Sequence, residues 1–285
     1  MNTQEVRAVL QGTARCFVTG GGSLTGHFRL NSLNQQSPGE ILSCRHLNQI
    51  KEFSVADQVL VVGAGADIEV LNQELASKGY CLPAASQDLG QIGSIHGTLA
   101  SVLSLNLPHV LSSQCGSWRD WILGMTLVRP DGTICKCGSK AVKNVAGYDV
   151  QRLMVGARGT LGVIVELILR VAPIKSVPAP QAKKYRELRI DAPLWIQRVR
   201  LSDFAIAEET GRDHLVLADP ASGTLWATLA TDQFLKRYDG DWVIRSGVGT
   251  RNLELTDPTQ IRLMKRAKEI FDPTGKLNPG EMGIF

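Results

Sequence analysis

Three glycines, Gly156, Gly159 and Gly162, stand three residues apart at the head of Val163–Val171, a nearly unbroken run of Val, Ile and Leu. Glycine has no Cβ, so a ligand can come close to the main chain, and the loop N–H groups can hold an anion. The apolar run reads as a buried strand that anchors the loop. The chemistry this suits is a rigid cradle for a large, phosphate-bearing cofactor. Two more small-residue segments fit the same purpose: Gly20-Gly21-Gly22-Ser23-Leu24 after the short strand Arg15–Thr19, and Ile95-His96-Gly97-Thr98 within Gln91–Ala100. A helix start over Ser94–Ser104 would turn N–H groups toward an anion. Three glycine loops, each beside an apolar strand, cost more backbone entropy than turns alone justify. A GxxxxGK[ST] motif is absent, and Gly63-Ala64-Gly65-Ala66-Asp67-Ile68 lacks the third glycine of a dinucleotide fingerprint.

The elements that must position these loops are partly legible. Glu40–Cys44 and Gln58–Gly63 read as strands around a turn carrying Leu47 and Ile50. Asp67 is a good N-cap for a helix with Ile68, Leu71 and Leu75 at helical spacing, and Gly79 ends it. Arg129-Pro130-Asp131-Gly132-Thr133 is a tight turn, which predicts a hairpin of Thr126–Val128 with Thr133–Cys137. Pro173, Pro178 and Pro180 mark a linker. Beyond it, Leu194–Val199, His214–Ala218, Leu225–Leu229 and Trp242–Ile244 alternate with turns, as in a small, mostly β domain. Asp257-Pro258 opens a helix with Ile261, Met264, Ala267 and Ile270 on one face. The expected organisation is α+β: a domain over 1–175, a second over 176–255, and a segment over 256–285 that packs back on the first.

With 285 residues, 44% hydrophobic, 20% charged and a net charge of +4, the chain has the composition of an ordinary soluble protein. The charge is too weak and dispersed for nucleic acid. No stretch approaches the roughly 18 apolar residues of a membrane span. The polar N-terminus shows no signal-peptide pattern, so a cytoplasmic location is expected, with any membrane association peripheral and made through partners. In that compartment the six cysteines are expected to be free. Cys135-Lys136-Cys137 lacks metal-site spacing, and no metal is expected.

The parts together resemble the vanillyl-alcohol-oxidase type of FAD-binding domain, also called PCMH-type. The resemblance covers about Arg15 to Pro173 and resumes from Ile261 to Gly280. Its most specific pieces are Lys140 to Gly156 (KAVKNVAGYDVQRLMVG), Gly159-Thr160-Leu161-Gly162-Val163-Ile164, and the closing Phe271-Asp272-Pro273 with Asn278-Pro279-Gly280. It is similar in particular to FAD-binding subunits, the E type, of bacterial glycolate oxidase. The family implies an FAD stretched between two α+β subdomains. Its diphosphate would lie on Gly20, Gly21, Gly22, Ser23 and Leu24, with Ile95, His96, Gly97 and Thr98 as the other wall. Gly159, Leu161, Gly162 and Val163 would lie against flavin or adenine. Lys143, Asn144, Tyr148 and Asp149 match the loop beside the ribityl chain and ring. Arg119 and Asp120 match a segment near the flavin, and Asn278 would return to the ring edge.

Two departures shape the functional expectation. Ser23 follows the glycines where the family often carries a flavin-linked histidine, so the FAD is expected to be non-covalent. The second half has one histidine, His214, and no Gly-Asp-Gly-Asn string, so a base and a carboxylate-binding cation cannot both be assembled from Tyr185–Val248. No catalytic residue is assigned. The resemblance therefore implies an FAD-binding oxidoreductase subunit of a glycolate oxidase-like complex, oxidising a 2-hydroxy acid such as glycolate to glyoxylate. A larger flavoprotein and an iron–sulfur subunit would be its partners. The alternatives are a self-sufficient FAD-dependent alcohol or hydroxy-acid oxidoreductase, and a cofactor-free scaffold subunit.

Overall fold

The computed structural model describes residues 1–20, 39–85, 97–107, 109–141, 148–179, 181–185, 195–227 and 258–280. The chain opens with the helix Thr3–Gly12, started by a capping box. The Asn2 side chain accepts from the Gln4 and Glu5 N–H groups, while Glu5 accepts from the Asn2 N–H. Two of its residues, Val6 and Leu10, are buried. Strands β1 (Cys16–Thr19) and β2 (Glu40–Ser43) then form a parallel pair.

A five-stranded antiparallel sheet carries the first half of the molecule. Its strands are β3 (Ile50–Ser54), β4 (Val59–Gly63), β6 (Ile122–Val128), β7 (Ile134–Gly138) and β8 (Val163–Arg170), in the order β3-β4-β8-β6-β7. The short strand β5 (Tyr80–Cys81) lies outside it, paired with β9 (Ala172–Pro173). The hairpin expected at Pro130–Gly132 is present, with Val128 opposite Ile134. The expectation missed β3. It is a polar edge strand, with Lys51 and Glu52 exposed, and its sequence carries no apolar alternation to announce it.

Between Leu127 opposite Ile164 and Thr126 opposite Glu166, β8 carries one extra residue, Val165. This bulge shifts the side-chain alternation. Val163 and Val165 consequently face a small core with Val6, Leu10, Cys16, Leu42 and Leu277. Ile164, Leu167 and Leu169 face the main core with Leu71, Leu75, Leu99, Leu103, Trp118 and Trp121. One apolar strand thus serves two layers.

The helix Ile68–Ser77 covers the main core, its Asp67 cap accepting from the Glu69 and Val70 N–H groups and Gly79 adopting φ +80° beyond its end. The second half contributes β10 (Lys183–Lys184), β11 (Trp195–Arg198), β12 (Leu215–Asp219) and β13 (Thr224–Ala227), in the order β10-β12-β13-β11, together with the helix Phe204–Gly211. Val216, Leu217 and Trp226 join the main core. The strand expected at Trp242–Ile244 lies outside the described residues. All six cysteines are free. No helix among the described residues is long and apolar enough to cross a membrane.

The closing helix, Pro258–Phe271, departs from its expected face at one position. Ile270 is 58% exposed, and the buried residue of this helix is Lys268. Ile261, Met264 and Ala267 are half-buried as expected, Ala267 and Phe271 pack against the main core, and the Lys268 contacts add to that apolar stripe.

Candidate functional site

Four separate stretches of chain meet at the end of β1. The Val18 N–H donates to Asn278 Oδ1 at 2.6 Å, and Asn278 Nδ2 donates to the Arg158 carbonyl at 2.7 Å. The Asn278 N–H donates to the Cys16 carbonyl at 2.9 Å, and Cys16 and Leu277 form a parallel bridge. One buried asparagine therefore ties β1, the Gly156–Gly162 loop and the C-terminal segment together. Gly159 has to be glycine here: its φ is +71°, and a Cβ would lie 2.7 Å from Asn278 Nδ2. One residue beyond Thr19, a Cβ on Gly20 would lie 2.0 Å from Thr98 Oγ1 and 2.1 Å from Ser101 Oγ. The first glycine segment and the second small-residue segment are in direct contact at that point.

The electrostatic clamp behind this junction is Lys268. It is 7% exposed, and its Nζ donates to the Thr160 carbonyl (2.8 Å), the Leu277 carbonyl (2.7 Å) and Asp272 Oδ2 (2.6 Å). Asp272, 2% exposed, also accepts from the Leu277 and Lys276 N–H groups and from Thr274 Oγ1. Burial pulls the Lys268 ammonium below its ordinary range, and the Asp272 carboxylate opposes that shift. The pair joins the closing helix to both the glycine loop and the segment carrying Asn278. Sequence reading missed Lys268. Its spacing of four from Asp272 was the available signal, but such pairs usually sit on exposed helix faces.

Four amides of the Gly156–Gly162 loop, that of Gly156 among them, are committed within the protein. Gly156 and Arg158 donate to the Leu103 and Ser104 carbonyls, and Ala157 and Thr160 donate within the loop. At the helix Leu99–Leu105, the Leu99 and Ala100 N–H groups donate to Ala66 and Ala64 rather than facing an anion. These loops rest on one another through their main chains, which explains their small residues as well as a ligand would.

Of the expected cofactor residues, the structure brings Gly20, Thr98, Gly159 and Asn278 to the junction. Gly97 is buried beside it, its carbonyl accepting from Ile68. Leu161, Gly162 and Val163 are buried, the two side chains filling cores, so only their backbone could meet a ligand. Arg119 donates to the Val155 carbonyl at 3.5 Å, and Asp120 caps its own short helix through Ser117 instead of pairing with Arg119. Tyr148 is 94% exposed, and Asp149 pairs with Arg152 at 3.7 Å. Gly21, Gly22, Ser23, Leu24, Ile95, His96, Lys143 and Asn144 lie outside the described residues.

Among the histidines, His109 is buried. Its Nε2 lies 2.9 Å from the Gly116 carbonyl, and burial pushes its pKa down to about 4. That keeps it neutral and uncharged at pH 7.

The sequence matches a known class in two places. Residues 2–138 match the family described as FAD binding domain, and residues 247–282 match the C-terminal domain of FAD linked oxidases. The chain thus has the α+β fold of a PCMH-type FAD-binding domain, and its cofactor is FAD. Among individual relatives, the chain is 35% identical over 133 residues to a mitochondrial D-2-hydroxyglutarate dehydrogenase of Bos taurus, covering 47% of this chain and 24% of that one. It is 33% identical over 146 residues to glycolate oxidase subunit GlcD of Bacillus subtilis, covering 51% and 29%. It is 30% identical over 141 residues to glycolate oxidase subunit GlcE of Escherichia coli (strain K12), covering 50% and 39%. The chain spans well under half the length of each.

The described residues fit FAD. Two glycines sit where any side chain would collide with a neighbouring segment. The Thr19 hydroxyl is buried there with no hydrogen-bond partner, as expected of a donor kept for a ligand.

Proposed function

We propose that this chain is the FAD-holding subunit of a glycolate oxidase-like complex that oxidises a 2-hydroxy acid, with non-covalent FAD as the electron relay. The observation that carries the reading is the meeting of Thr19-Gly20, Thr98, Arg158-Gly159 and Asn278 at one small-residue junction. Matches to two glycolate oxidase subunits support the complex, and the D-2-hydroxyglutarate dehydrogenase match supports the substrate class. FAD, when bound, supplies the two-electron acceptor for oxidation of a hydroxyl-bearing carbon.

The work of this chain is to bind and orient. Asn278 and the Lys268–Asp272 pair hold the glycine loop in register with β1, and the apolar layers on either side of β8 keep that frame rigid. For the substrate step, a base must take the hydroxyl proton and a cation must meet the carboxylate. Among the described histidines, His46 is exposed, His109 is buried and neutral, and His214 lies at the start of β12. None is placed beside the junction. A larger flavoprotein subunit is accordingly the proposed holder of the substrate site, with an iron–sulfur subunit taking electrons onward.

The test is to purify the chain alone and with candidate partner subunits, then measure FAD content and turnover of glycolate, D-lactate and D-2-hydroxyglutarate. The expected result is a yellow chain that turns over none of them by itself. Full activity in isolation would replace the subunit reading with a self-sufficient oxidoreductase, and a chain that never takes up FAD would leave only a scaffold.

A further inference from the structure

We propose that the hydroxyl of Thr19 is a hydrogen-bond donor reserved for the diphosphate of FAD; this rests on reading the end of β1 as part of the cofactor site. Thr19 is 8% exposed, and its Oγ1 is the one buried hydroxyl without a partner among the described residues. Every comparable hydroxyl around it is satisfied. Ser43 donates to the Gly20 carbonyl at 2.9 Å, Thr98 and Ser101 bond to each other at 2.8 Å, and Thr160 donates to the Ala157 carbonyl at 2.6 Å.

The orphan does not come from a loose backbone. The Thr19 carbonyl accepts from the Cys44 N–H at 2.8 Å, and Thr19 lies opposite Ser43 in the β1–β2 pair. On its two sides, Val18 is held by Asn278 and Gly20 is pressed against Thr98 and Ser101. The main chain that carries the hydroxyl is thus held on both sides. An unpaired buried hydroxyl is destabilising, and valine, its apolar isostere with a strong strand preference, would remove that cost. A threonine in this setting is explained by a partner outside the chain. The next residues are the glycine run, and a phosphate oxygen accepts strongly from a hydroxyl because the bond is charge-assisted.

The proposal gives Thr19→Val two opposite effects. The apo protein should melt at the same temperature as wild type or higher. Binding of FAD should weaken about tenfold or more, as loss of a hydrogen bond to a charged group does. ADP, which carries the same diphosphate, should weaken in parallel, and Thr19→Ser should bind FAD and ADP close to wild type.

Flavin fluorescence titration, ADP competition and apo melting curves read all of these. If wild type takes FAD and Thr19→Val binds it equally well, the proposal fails while the FAD site stands. If FAD weakens and ADP does not, the hydroxyl serves another part of the cofactor and the diphosphate assignment is wrong. If Thr19→Val lowers the apo melting temperature, the hydroxyl has a partner within the protein and the proposal fails. A wild-type chain that binds neither FAD nor ADP overturns the site and this inference together.

Discussion

Replacing Lys268 by methionine keeps the length of the stem and removes the charge. Three acceptors then lose their donor: the Thr160 carbonyl, the Leu277 carbonyl and the Asp272 carboxylate. The Asp272 side chain is fully buried, so its charge cannot turn to solvent. Breaking a buried ion pair by removing one partner costs about 3–5 kcal/mol. Asp272 keeps the Leu277 and Lys276 N–H groups and the Thr274 hydroxyl as donors, which places the cost near the lower end, at about 3 kcal/mol. For a chain of this size each kcal/mol moves the melting temperature by about 2–4 °C, so the expected fall is roughly 6–12 °C. The assay is thermal and urea unfolding of the purified chain, with and without FAD. Lys268→Met combined with Asp272→Asn should be more stable than Lys268→Met alone, because the stranded charge is gone while the amide oxygen still accepts. A fall under about 2 °C for Lys268→Met, or no recovery in the double variant, would refute the clamp as a stabilising element of the closing helix.

Three other outcomes follow from the same structure. Burial pushes His109 from its ordinary 6.5 down to about 4 when folded, so the unfolded chain binds more protons between those values and stability is lost as pH falls through that window. The full effect is about 3 kcal/mol, of which about 2 kcal/mol is gone by pH 5; urea unfolding at pH 7 and pH 5 should show a loss that His109→Gln largely abolishes. Gly20→Ala forces a Cβ to within 2.0 Å of Thr98 Oγ1, so it should part β1 from the helix Leu99–Leu105 and weaken FAD uptake. Fluorescence titration that finds wild-type affinity in this variant would remove Gly20 from the site. Acid precipitation of the yellow protein should leave the flavin in the supernatant; flavin retained on the pellet would show a covalent link.

Much of the local structure was legible because its causes are local. Asp67 caps its helix with its own side chain, Gly79 supplies the left-handed turn after it, and Pro130-Asp131-Gly132 dictates a hairpin whatever surrounds it. The apolar density of Val163–Arg170 marks a buried strand, and the glycine spacing marks the loop before it. The polar edge strand Ile50–Ser54 escaped notice, because its hydrogen bonds to β4, rather than its side chains, make it a strand.

The site is different in kind. By itself the sequence determined that small residues recur in three segments and that a cofactor with phosphates suits them. Only the tertiary structure decided that Gly20 abuts Thr98, that the Gly156 and Arg158 amides bond to the end of the helix Leu99–Leu105, and that Lys268 is buried. Asn278 shows the reason most plainly. It joins Val18, 260 positions earlier, to Arg158, 120 positions earlier. Periodicity and capping act over a few residues, whereas contacts across such separations form only when the whole chain has closed its loops and buried its core.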